Sequence, residues 1–188
     1  MNGFNLLRGC LAVIGRIPNW EQFFTLTKPA LRFTFLVQLC VLPAFCIIAS
    51  AAIDGRSELL KMEASDVNIP AIAIIGLIYL LSFSAVAYIL CMVFDRQDRL
   101  RAWVIVRHWC VHFLAWFAAL AFGLFKLGIF PLPAAYGVLF AAYMGLLFID
   151  IRIAQRVAGF DLGGATLAAC LISITGLSLL LTGVSYFV

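Results

Sequence analysis

The two histidines of the chain, His108 and His112, stand four residues apart in Arg107-His-Trp-Cys-Val-His112. That spacing puts both imidazoles on one helix face, where they hold a metal if a third ligand arrives. No glutamate follows the first histidine as it does in a zinc-peptidase helix, and axial haem ligation would draw its histidines from two helices. Hydrogen bonding at a membrane interface is the plainer use of the same groups. His108 and His112 stand as candidates for metal or haem ligation, while the pattern itself asks for no cofactor and offers no catalytic residue.

A second group with chemical potential is a run of arginines and aspartates. Arg96, Arg99, Arg101 and Arg107 come with Asp95 and Asp98, and Arg152 and Arg156 follow Asp150. Placed at the mouths of apolar spans, such arginines can snorkel and hold anionic lipid head groups. Deep in the apolar stretches the polar set is thin, chiefly Gln38, Tyr79, Ser82, Ser84, Tyr88 and Tyr143. No carboxylate is expected mid-span, which argues against proton- or ion-coupled transport. The chain carries no Gly-x-Ser-x-Gly elbow and no phosphate-cradling glycine loop. Its cysteines, Cys10, Cys40, Cys46, Cys91, Cys110 and Cys170, form no C-x-x-C and read as reduced, small apolar residues.

The elements that must carry these groups are membrane spans. The 188-residue chain is 65% hydrophobic and only 12% charged, with a mean hydropathy of +1.10, against about 25% charged residues in soluble domains. Five apolar stretches, 33–53, 70–94, 109–129, 132–149 and 164–187, approach or exceed the ~20 residues that cross a bilayer. The sequence therefore predicts an all-α, polytopic integral membrane bundle of five transmembrane helices. Residues 1–32 form a cytoplasmic lead and residues 33–188 the transmembrane domain. Basic residues are scattered, with no nucleic-acid patch.

Charge asymmetry sets the expected orientation. With the N-terminus inside, ten of the 13 basic residues face the cytoplasm, and Arg56, Lys61 and Lys126 face out. The positive-inside rule then puts the C-terminus on the far side. No Asn-x-Ser/Thr sequon occurs, and the location expected is a bacterial inner membrane with a periplasmic C-terminus. From Asn19, a potential N-cap, Trp20, Phe23 and Phe24 fall at helical spacing before Pro29. They predict a short amphipathic interfacial helix that lies on the bilayer or docks on a partner. Pro43 should kink the first span, and Pro131 and Pro133 should separate the third from the fourth. Small residues at four-residue spacing, Gly137, Ala141 and Gly145 in span four, predict close helix contact, within the chain or between copies. Ala115, Ala119 and Gly123 in span three, and Ala165, Ala169 and Ser173 in span five, repeat the pattern.

Several of these stretches resemble the Yip family of five-span, Ypt/Rab-interacting membrane proteins, especially its short bacterial branch. The likeness lies in Ile17-Pro-Asn-Trp-Glu-Gln-Phe-Phe24, Val41-Leu-Pro43, the Tyr- and Gly-bearing segment 133–147, and the re-entry through Gly163-Gly164. It implies a non-enzymatic scaffold, organiser or accessory subunit of a membrane complex, with no catalytic residues to carry over. The residues leave two other functions open: a small-molecule or lipid transporter acting as an oligomer, and a haem- or metal-binding subunit. Expected partners are anionic head groups at the cytoplasmic face and a membrane protein or a second copy. A reporter fused after Val188 should be active only on the periplasmic side; cytoplasmic activity would overturn the orientation or the span count.

Overall fold

The computed structural model describes residues 3–60 and 68–187, with side chains for 3–55 and 68–183. First-loop residues Lys61, Glu63 and Asp66 lie outside the described residues. The helices are α1 (Gly3–Ile14), α2 (Lys28–Leu39), α3 (Leu42–Leu60), α4 (Ile69–Val93), α5 (Gln97–Lys126), α6 (Leu132–Arg156) and α7 (Leu162–Phe187), with a 3-10 turn at Trp20–Phe23. No strand occurs among the described residues. Five helical segments are long and apolar enough to span a membrane: Lys28–Gly55, Ile69–Val93, Gln97–Lys126, Leu132–Arg156 and Leu162–Gly183. The protein is an all-α integral membrane bundle.

Local chemistry explains where the helices start and stop. Thr27 Oγ1 accepts the Ala30 N–H at 3.4 Å, and Pro29 fills the first turn of α2, so the first span begins at Lys28. Its helix breaks between Leu39 and Leu42, immediately before Pro43, which can donate no backbone hydrogen bond. Asn68 Oδ1 caps α4 through Ala71 N–H at 3.1 Å, and Asp161 Oδ1 caps α7 through Gly164 N–H at 2.8 Å. At the far end of α5, Gly128 adopts φ +72° and lets Ile129 N–H reach back to Leu124 O at 2.9 Å.

The lead folds differently from its sequence-level expectation. Trp20–Phe23 makes only one 3-10 turn, and Asn19 sits before it at φ +57° without a side-chain cap bond. The amphipathic helix lies upstream, in α1, where Leu6, Gly9, Cys10 and Val13 are buried and pack towards α5 and α6. Trp20 and Phe24 are buried in the main core, Phe23 packs against it, and the two phenylalanines close over Gly9. Those aromatic groups hold the lead onto the bundle instead of offering a free docking face. Their apolar area is worth more inside the chain than at the surface.

Helix α5 is the centre of the bundle, in contact with α1, α2, α3, α4 and α6, while α7 packs on α4 and α6. It starts twelve residues earlier than the expected 109, which draws Trp103, Ile105, Val106, Arg107 and His108 into the interior. On the outside, Phe117, Leu120, Phe140 and Ile174 are strongly exposed, as lipid-facing side chains are. Small residues do allow close contact, along α7 as its spacing predicts but not along α6. Ala165 and Ala169 of α7 are buried, and a Cβ at Gly176 would meet Tyr79 Cε2 at 2.7 Å. Gly137 and Gly145 of α6 have nothing within 4 Å of such a Cβ, and Ala141 is exposed. The contact expected of Gly137, Ala141 and Gly145 is therefore not made within the chain.

This difference is measurable. Gly176→Leu should lower stability in detergent by about 1–3 kcal/mol through overpacking against Tyr79. Gly137→Leu should leave the melting midpoint of the dispersed single chain unchanged. The reverse order would refute this assignment of the packed seam.

Candidate functional site

Arg107 and Asp150 meet in the interior. Arg107 lies ten residues into α5, and Asp150 six residues before the end of α6, about 15 Å and about 9 Å along their helices. Arg107 Nε donates to Asp150 Oδ1 at 2.9 Å and Nη2 donates to Oδ2 at 3.2 Å. The two residues are 3% and 0% exposed. Phe83 of α4 covers the guanidinium, with its ring centroid 4.0 Å from Cζ, a cation–π contact that gains strength without water. Arg107 is thus no member of an exposed basic cluster, and a carboxylate does sit inside the bundle. Desolvation forces this pairing, since either charge alone would be very costly there.

The next residue on α5 turns to the other side. His108 Nδ1 lies 3.3 Å from Thr34 Oγ1 on α2, and Nε2 lies 3.3 Å from Ser84 Oγ on α4. Thr34 Oγ1 already donates to Leu31 O at 2.8 Å. Its one proton being used, it accepts from the imidazole Nδ1–H. Gln38 Nε2 donates to the His108 backbone carbonyl at 3.0 Å, while Gln38 Oε1 has no hydrogen-bond partner among the described residues. Phe35 meets the imidazole edge-on at a centroid distance of 5.0 Å.

His112 shares the helix with His108 but not its surroundings. Its ring lies between Trp109 and Phe113, each at a centroid distance of 5.7 Å. Among the described residues no group of three or more His, Cys, Asp or Glu side chains is arranged to hold a metal ion. The two histidines therefore serve different contacts, His108 as a hydrogen-bonded tie between α2, α4 and α5.

The other arginines separate as well. Arg156 donates to Ala12 O at 3.2 Å and Ile17 O at 3.0 Å, holding the carbonyl end of α1. Arg101 donates to Leu26 O at 3.3 Å. Arg152 Cζ lies 4.9 Å from the Phe148 ring centroid, Arg99 pairs with its exposed neighbour Asp98 at 3.1 Å, and Arg96 lies against Gly159. At the opposite end Lys126 joins Asp54 at 3.0 Å, linking α5 to α3.

Beside the ion pair lies a cleft of about 310 Å³ that sequence reasoning missed. Phe45, Ile48 and Ala49 of α3, Val111 and Ala115 of α5, and Leu146 of α6 form part of its wall. Tyr79 and Tyr143 are its polar members, and the Tyr79 phenol lies within electrostatic reach of Arg107, Asp150 and Tyr143. Both tyrosines stood in the mid-span polar set, but nothing in linear spacing brings α3, α4, α5 and α6 around one void.

Removing one partner of the buried pair tests its standing. Arg107→Ala or Asp150→Ala should destabilise the bundle by about 3–5 kcal/mol, whereas Arg107→Met with Asp150→Leu should recover most of that loss. A detergent melt in which each single variant equals the parent would refute the buried pair.

No family model, curated protein or solved structure matches the chain. The likeness to Yip proteins rests on the residues that suggested it.

Proposed function

We propose that this integral membrane protein works by binding, taking a lipid-like small molecule from the bilayer into the cleft beside Tyr79 and Tyr143. The cleft itself carries the reading. Its volume of about 310 Å³ falls at the lower edge of ligand sites, which run about 300–1,000 Å³ with apolar walls and a few convergent polar groups. Its almost wholly apolar walls suit a hydrocarbon chain or fused rings. Arg107, Asp150 and His108 are engaged with other side chains, which favours binding over chemistry. In this reading the protein is a non-enzymatic carrier or lipid-handling subunit of a bacterial inner membrane, its N-terminus cytoplasmic.

A second reading, a scaffold or accessory subunit of the kind implied by the Yip resemblance, draws support from α6. The Gly137–Ala141–Gly145 face is uncovered, and Phe140 beside it is 67% exposed. Another transmembrane helix could approach closely there.

The cleft is tested by extraction. Protein purified in mild detergent should carry a near-stoichiometric apolar compound that organic extraction releases for mass spectrometry. Ala49→Phe, which fills the cleft, should lower that occupancy about tenfold, and Tyr143→Phe severalfold, with melting unchanged. An extract matching bulk lipid, or equal occupancy in the filled variant, would overturn the proposal.

A further inference from the structure

The end of the bundle that carries α1 holds a basic groove of about 380 Å³ between α2 and α5, lined by Lys28, Leu31, Arg32, Gln97, Leu100 and Arg101. It shares no residue with the cleft. Two four-residue spacings face each other across it: Lys28 and Arg32 on α2, Gln97 and Arg101 on α5, with Leu31 and Leu100 between. Among the described residues no carboxylate pairs with Lys28, Arg32 or Arg101; the nearby Asp98 is taken by Arg99 at 3.1 Å. Arg101 is held by its bond to Leu26 O. The first turn of α5, whose N-cap Arg96 makes no side-chain cap bond, adds the positive end of its dipole.

The same face of α2 continues differently. Beyond Lys28 and Arg32 come Leu36 and Leu39, both exposed, at successive helical spacings along a span-forming segment. A cationic pocket thus runs directly into an apolar stripe. That sequence of surfaces matches a molecule with a phosphate head and hydrocarbon tails, whereas a free phosphate would use the pocket alone.

We propose that this groove binds the head group of an anionic phospholipid, its phosphate among Lys28, Arg32 and Arg101 and its chains along Leu36 and Leu39. The site anchors α2 to α5 at the membrane surface, next to the Thr34–His108 tie.

Native mass spectrometry of the full chain in mild detergent provides the test, with phosphatidylglycerol, phosphatidylcholine and inorganic phosphate titrated separately. Phosphatidylglycerol should bind about tenfold more tightly than phosphatidylcholine, and Lys28→Gln with Arg32→Gln should abolish that preference. Gln97→Lys, which adds a fourth cation to the groove, should strengthen phosphatidylglycerol binding severalfold, a gain that a merely damaged fold would not give. Equal binding of the two lipids, a preference that survives in the double variant, or no gain from Gln97→Lys would overturn the proposal. So would inorganic phosphate that saturates the groove and displaces the lipid at similar concentration.

Discussion

An arginine and an aspartate placed out of water have one affordable arrangement, and the bundle is organised around it. Arg107 and Asp150 neutralise each other through two hydrogen bonds, so α5 and α6 cannot slide or rotate against each other without exposing a bare charge to an apolar interior. Lipid supplies little hydrophobic drive for helix association, which makes such a polar tie more decisive for register than apolar contacts alone. Phe83 then fixes α4 over the same guanidinium.

One residue further on, His108 extends the constraint to α2. Side chains at consecutive helical positions point about 100° apart, so Arg107 can serve α6 while His108 serves Thr34 and Ser84. Four helices are held by two neighbouring side chains. The void at Tyr79 and Tyr143 lies beside that arrangement: α3 packs on α4 and α5, and the small residues Ala49, Ala115, Ala118 and Ala142 leave space among α3, α4, α5 and α6. A less tightly registered bundle would collapse into it.

The lead segment shows the same logic with backbone acceptors. Arg156 from α6 donates to Ala12 O in the last turn of α1 and to Ile17 O just beyond it, where Ala12 O also accepts the Ile17 N–H at 2.9 Å. Trp20 and Phe24 bury their rings on the core. An N-terminal segment that looks like a separate surface attachment is an integral layer over α5 and α6.

The class of this protein is legible in its long apolar stretches, because the need to satisfy backbone groups in lipid turns them into helices. Length, hydropathy, Gly163-Gly164 and Pro131 and Pro133 were enough to place five spans. Hydropathy could not show that Gln97–His108 continues α5, since an averaged window treats Arg107 as a surface charge until a partner is known. That partner, Asp150, is distant in sequence, and only the docking of α6 on α5 brings it into reach. Similarly, spacing marked both Gly137, Ala141 and Gly145 and Ala165 and Ala169 as able to pack, but helix rotation settled which of them met a neighbour: the α7 pair is buried, joined by Gly176, and the α6 face is not. The tertiary structure decided the pairings, the cleft and the basic groove, because each is a property of facing helices and none of a single one.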